Sequence, residues 1–444
     1  MGKPKLWRIC TAPHASNRCT YTNRNTAPLE QRLDLRYVYD DVGNLTTILD
    51  KMNSDQVQTF GYDHLNRLTS AATNAAGGGQ YTHTYAYNTL GNLTSYNGAG
   101  YTYGSSLHKH AVTAAHGVTF SYDANGNLTF RNAAGSANDH AQNFNVENEL
   151  ASVVNNGSTT TFTYDAAGIR VKTVRPSGKA SYFPFPGYEE EVNGSITTRR
   201  ITYAVAGQSV ALRVQVVGGS NTLYYLHSDH LGSTSLATTT SGAVVGGSTA
   251  RYYPFGDWRT EPTANLTDRG FTGHMHNNLG TGAEDIGLVY MAARWYSPTL
   301  GRFISADTIV PNPANPQSLN RYSYVRNSPL NMIDPTGHRE CDDPPACEAG
   351  GPYKPPPASP PSLGDPLEGF YDIGFDYDPD PTRPAPEEGK PPSYHNGVDL
   401  GNDKDTPDDL LAIAVGRVRV ADACTVDIIL NKIEQVNGLN CMTE

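Results

Sequence analysis

Between residues 31 and about 250, apolar and polar positions alternate in short runs, and each run ends in the same punctuation. Two aromatics stand two residues apart, followed by Asp or Asn, two unconstrained positions, and then Gly or Asn. The clear copies read YVYDDVGNL from Tyr37, FGYDHLNRL from Phe60, YAYNTLGNL from Tyr85, FSYDANGNL from Phe120 and FTYDAAGIR from Phe162. NFNVENEL from Asn143 and LHSDHLGS from Leu226 are weaker versions. Alternation with period two is the strand signal, because residues i and i+2 share a face. It predicts that Tyr37 with Tyr39, Phe60 with Tyr62, and Tyr85 with Tyr87 project together into one packed layer. The Asx that follows caps a type I turn with its own side chain, and the Gly supplies the positive φ that lets the strands pair again. Asn66 and Asn148 take the glycine's place in two copies, since Asn enters the left-handed region more readily than other residues with a Cβ.

Each unit is therefore a hairpin, with turns starting at Asp40, Asp63, Asn88, Asp123, Asn145, Asp165 and Asp229. The spacing is that of a repeat array. A lone hairpin buries too little area to fold in water, so successive hairpins must pair edge to edge. The expected fold is all-β: one continuous, curled antiparallel sheet forming an open, gently twisted strip or partial β shell. The stretch around 182–226, which alternates strongly after Asn193, reads as further strands. An unpaired first edge would invite aggregation, so the chain expressed alone is expected to be poorly soluble.

Composition sharpens this picture. The 444 residues are 38% hydrophobic and 17% charged, with 43 Gly and 27 Tyr, which suits turn-rich strands faced with tyrosine rather than a helix-lined core. A net charge of -11 without clustered Lys and Arg argues against a nucleic-acid partner. No stretch approaches the roughly 20 apolar residues of a membrane helix, so no membrane span is expected. The start is basic but lacks the apolar run of a secretory signal. Because the repeats begin almost at once, the chain reads as the C-terminal part of a longer one. Cys10, Cys19, Cys341, Cys347, Cys424 and Cys441 all flank the array, so disulfides do not hold it together, and their spacings suit zinc poorly.

Shifts in composition divide the chain. Residues 1–30 form a frayed leader, 31–250 the repeats, and 251–338 a block dense in aromatics and Arg. Residues 339–392 are a Pro/Gly-rich acidic linker, expected to be disordered because it cannot bury enough apolar surface. Residues 393–444 regain a β pattern and then a helical one near Thr425 to Val436, a small α+β remnant.

The block from Arg251 carries a resemblance. RYYPFGDWR (251–259), FTGHM (271–275), GLVYMAARWYSPTLGRFISAD (287–307) and NRYSYVRNSPLNMIDPTGH (320–338) resemble the repeat-associated core of Rhs/YD-repeat proteins. With the repeats, the resemblance covers about three-quarters of the chain. It implies a bacterial secreted or cell-surface scaffold whose repeats coil into a hollow β shell. The core closes one end ahead of a variable C-terminal module, in cell contact or toxin delivery. It also implies self-cleavage by an aspartyl pair just after the DPxG element in several members. Carried onto this chain, the catalytic candidates are Asp307 and Asp334, with the cut near Gly337 or His338. Two carboxylates held close can share a proton and so supply one acid and one base. The chain departs from the pattern in Asp307-Thr308-Ile309-Val310, where Asp-Pro-x-Gly is usual, and in His338, where Leu is usual. The alternative is that both aspartates are turn caps. Arg294 and Arg302 either pair with these carboxylates or stack on neighbouring rings.

The tail is similar to the opening of lysostaphin-type zinc endopeptidases, which cut peptidoglycan. That similarity would make His395 and Asp399 zinc ligands. No His follows His395 to complete a catalytic set, so no cofactor is expected unless zinc finds a third ligand elsewhere. His227, His230, His274 and His276 read as metal ligands or as packing residues. The tyrosine rows read as sugar-stacking or repeat-stacking surfaces. The first functional reading is thus a scaffold, with an autoprotease and a peptidoglycan hydrolase as alternatives. Its expected partners are its own C-terminal module or upstream repeats, and cell-surface carbohydrate or peptidoglycan.

Overall fold

A computed structural model describes residues 32–133, 139–205, 207–278, 282–310 and 313–338. The leader, the linker and the tail, with the six cysteines, His395, Asp399 and the expected helix, lie outside the described residues.

The repeats form an antiparallel meander in which consecutive strands pair throughout, except at one break. A first sheet holds β1 (Leu35–Tyr39), β2 (Leu45–Asp50), β3 (Gln56–Tyr62), β4 (Leu68–Thr73), β5 (Thr82–Tyr87), β6 (Leu93–Tyr96) and β7 (Ala99–Gly100). A second begins with β8 (Ala114–Ala115), β9 (Val118–Tyr122), β10 (Leu128–Ala133), β11 (His140–Phe144), β12 (Leu150–Asn155), β13 (Ser158–Tyr164) and β14 (Arg170–Val174). It continues through β15 (Ala180–Tyr182), β16 (Tyr188–Asn193), β17 (Ile196–Val205), β18 (Gln208–Val216), β19 (Asn221–Ser228) and β20 (Thr234–Thr239). The array is therefore two sheets rather than one unbroken ribbon. Between β7 and β8 the chain bulges away, held by the single bridge Thr102↔Ala114, while Tyr101, Ala111 and Val112 turn into the core.

The predicted turn chemistry appears in all seven turns named above. Asp40 Oδ1 accepts from the backbone N–H of Val42 (3.1 Å) and Asn44 (2.7 Å), and Asp229 Oδ1 from Leu231 (2.9 Å) and Ser233 (2.8 Å). The substituted positions Asn66 and Asn148 hold φ of 60° and 64°, beside +89° at Gly43. The same turn recurs without an Asx at Arg175–Lys179 and Tyr253–Asp257, where only Gly178 and Gly256 mark it.

A register shift falls at the second aromatic of each clear repeat that opens on Tyr37, Phe60, Tyr85 or Phe162, so the pair does not project as one flat layer. The first ring is buried at Phe60, Tyr85, Phe120 and Phe162. The second leans onto the preceding repeat: Tyr62, Tyr87 and Tyr164 donate their hydroxyls to the carbonyls of Leu45 (2.8 Å), Leu68 (2.7 Å) and Leu150 (2.8 Å). Tyr39 departs from the expected packing and is 50% exposed, because no hairpin precedes β1 among the described residues.

The strip curls further than a gentle twist. The Asp229 turn comes back to β1, where the His230 backbone N–H donates to the Tyr37 hydroxyl (3.2 Å) and their rings lie 4.7 Å apart. Arg251 Nε meets Asp50 Oδ2 at 2.8 Å along the same seam. These are side-chain contacts, and β1 pairs only with β2 among the described strands, so the sheet stays open.

The concave face is filled by the block that follows: β21 (Arg251–Tyr252), β22 (Trp258–Thr260), β23 (Met275–Asn277), β24 (Leu288–Met291), β25 (Arg294–Ser297) and β26 (Arg302–Phe303). Leu45, Leu68, Leu93, Leu128 and Leu150, the residues that begin the return strands, share one core with Phe255, Tyr290, Trp295, Ile304 and Leu330. In the sixth repeat Arg170 stands where the five before it have Leu. It is 2% exposed and packs against the rings of Phe183 (4.7 Å), Tyr290 (4.4 Å) and Trp295 (5.3 Å).

Candidate functional site

The segment 317–331 runs along the turn ends of the ribbon and satisfies backbone groups there. Asn331 Oδ1 accepts from the Leu45 N–H (2.8 Å), and Asn320 Nδ2 and Asn327 Nδ2 both reach the Gly91 carbonyl (3.0 and 3.2 Å). The Tyr322 hydroxyl donates to the Gly126 carbonyl (2.7 Å). Asn320, Tyr322, Asn327 and Asn331 of NRYSYVRNSPLN thus fasten the plug to the wall. This fastening ends at the DPTG turn, where a charged cluster is buried.

Arg294, at the start of β25, is its centre. Burial and the ring of Phe303, 3.6 Å from the guanidinium carbon, leave it one orientation. Its Nη2 lies 2.8 Å from Asp307 Oδ2 and 3.3 Å from Asp334 Oδ2, Nη1 donates to the Arg321 carbonyl (3.0 Å), and Nε donates to the Gly337 carbonyl. The two candidate aspartates, 27 residues apart in sequence (334 minus 307), therefore meet one nitrogen. Both also cap turns, as the alternative role requires. Asp307 Oδ1 accepts from the Ile309 N–H (2.9 Å), and Asp334 Oδ1 from those of Gly337 (2.8 Å) and Thr336 (3.3 Å).

Further contacts hold the two carboxylates in place. Arg321 Nη1 donates to the Asp307 carbonyl (2.9 Å), and His274 Nε2 to the Asp334 carbonyl (2.9 Å). His338 Nδ1 lies 2.7 Å from Asp307 Oδ1 and, facing a carboxylate, donates. Gly337 has φ +77°, and a Cβ there would lie 2.1 Å from the Met291 carbonyl oxygen, so only glycine seats this turn against the β24–β25 hairpin. The Gly337 carbonyl thus faces Arg294 Nε, while the ring of the next residue, His338, faces Asp307 Oδ1.

Other sequence candidates resolve differently. Arg302 does not join the aspartates but donates from Nη2 to the His110 carbonyl (2.9 Å) and Asn320 Oδ1 (3.0 Å). His274 and His276 are not a metal pair. His276 Nε2 accepts from the Phe271 N–H (2.8 Å) and its Nδ1 meets Asn278 Oδ1 (2.7 Å), which uses both ring nitrogens. Burial pushes His276 down to about 3 and His274 down to about 4. His227 Nε2 meets Thr238 Oγ1 and His230 Nε2 the Leu330 carbonyl, and among the described residues no group of three His, Cys, Asp or Glu could hold a metal. The contacts of His338, Arg321 and His274 to the aspartates carry no sequence signal, since each joins residues distant along the chain.

An open ribbon of YD hairpins wrapped on a plug of its own chain defines a YD-repeat shell protein. The Teneurin YD-shell family model matches residues 26–330, and the chain belongs to that family. Among its relatives, the tRNA nuclease WapA of Bacillus subtilis (strain 168) is 27% identical over 211 residues, 44% of this chain and 8% of that protein. Toxin subunit YenC1 of Yersinia entomophaga is 24% identical over 382 residues, 68% of this chain and 37% of YenC1. The chain thus spans well under half the length of these relatives. The crystal structure of TcdB2-TccC3-Cdc42 has the same fold, with a TM-score of 0.55 at 23% identity over 69% of this chain and 17% of that one.

Proposed function

We propose that this chain is part of a secreted or cell-surface bacterial shell that holds or displays a variable C-terminal module for toxin delivery. The observation that carries this reading is the fastening of residues 317–331 to the turn ends of the ribbon, which tethers whatever follows His338 to the shell wall. The likeness to a named toxin subunit supports the delivery role. The test is competition between producing cells and neighbours. Deleting this chain is expected to abolish inhibition of the neighbours, and undiminished inhibition would overturn the reading.

A second reading, self-cleavage after Gly337, is favoured by the contact of Arg294 with both aspartates and with the Gly337 carbonyl. Water would add to the Gly337 carbonyl carbon, the bond to the His338 nitrogen would break, and a proton from water would end on that nitrogen. Arg294 Nε points where negative charge develops on the carbonyl oxygen, while Asp307 and Asp334 fix the guanidinium and handle the proton. Purified protein is expected to run as two bands split after Gly337, and Asp334→Asn or Asp307→Asn as one. Two bands from both variants would remove the aspartates from the chemistry. Peptidoglycan or carbohydrate contact remains the role proposed for the tail. Zinc at His395 and Asp399 would need a third ligand, and no His follows His395 to supply it.

A further inference from the structure

The two aspartates are not equivalent. Asp334 spends Oδ1 on two backbone N–H groups of its own turn and Oδ2 on Arg294, bonds that last as long as the turn does. Asp307 is the carboxylate that faces the residue after the proposed cut, and its Oδ1 is held at 2.7 Å by the His338 ring. The two side chains line a cavity of about 30 Å³, room for one water. The charged groups around that cavity are Arg294, Arg321, Arg326 and Asp334, and among the side chains lining it the His338 ring is the donor to Asp307 Oδ1.

We infer that His338 is a positioning residue that sets the rate of self-cleavage by competing with water for Asp307. The inference rests on the self-cleavage reading above. While the His338 ring and the Ile309 N–H together take both lone pairs of Oδ1, that oxygen cannot accept a proton from an attacking water, and hydrolysis waits until the ring leaves.

The experiment uses the full chain, with single-turnover appearance of the two fragments followed at neutral pH. His338→Leu removes the donor and keeps apolar bulk, and His338→Gln keeps an N–H donor. The Leu variant is expected to cut roughly tenfold faster than the parent, the loss of about one competing hydrogen bond. The Gln variant, which restores a donor, should cut at close to the parent's slow rate. If Leu cuts no faster than the parent while Asp334→Asn still blocks cleavage, the role of His338 is wrong and self-cleavage stands. If parent, Leu and Gln all stay intact with unchanged melting temperatures, self-cleavage and the inference fall together.

Discussion

At the scale of single residues, the two aromatics of each repeat do different work. In the copies that open on Phe60, Tyr85, Phe120 and Phe162 the first is a buried packing ring, so Phe serves in three of them where Tyr85 stands in the other. The second needs its hydroxyl, because Tyr62, Tyr87 and Tyr164 each close a leucine carbonyl of the preceding repeat. Tyr87→Phe should therefore lower stability by about 1 kcal/mol, leaving the Leu68 carbonyl without that donor. Tyr85→Phe should be close to neutral. Urea unfolding checks both, with the midpoint moving for Tyr87→Phe at unchanged slope. The repeat signature records this division openly. Every clear copy has Tyr at the second position, whereas the first is Tyr or Phe.

At the scale of the hairpin, glycines that look alike in sequence differ in what surrounds them. Gly43 and Gly126 close equivalent turns at φ +89° and +87°. A Cβ at Gly43 meets nothing within 4 Å, whereas at Gly126 it would lie 2.4 Å from the Tyr322 hydroxyl. Gly43→Ala should cost about 1 kcal/mol for the left-handed backbone alone. Gly126→Ala should cost about 1 kcal/mol more, because Tyr322 must release the Gly126 carbonyl. Thermal melts of the two variants side by side test this, and equal losses would mean that the plug does not press on the turn. The turn type was legible in the sequence because its chemistry lies within five residues. Its burden was not, since Tyr322 stands 196 residues from Gly126.

At the scale of the whole molecule, buried neutral histidines tie the plug to an acid limit. His274 and His276 are held below the ordinary histidine value, to about 4 and about 3, so the unfolded chain binds protons that the folded one refuses. Their contribution is fully present above about pH 6.5 and is lost as pH falls through the window toward those values. At about pH 5 the loss should be on the order of 2 kcal/mol for each. A melting temperature that falls between about pH 7 and pH 5, with a shallower fall in His276→Asn, is the expected result. A fall of equal steepness would place the acid sensitivity elsewhere. What the sequence determined by itself was the all-β repeat, the Asx/Gly turns and the two aspartates as candidates, because period, turn and motif are written in near neighbours. The tertiary structure alone decided the break after β7, the return of the Asp229 turn to β1, the choice of Arg294 over Arg302, and the grip of His338 on Asp307. Each of these depends on how far the ribbon curls around its plug, a sum of small twists and long-range contacts that no local pattern encodes.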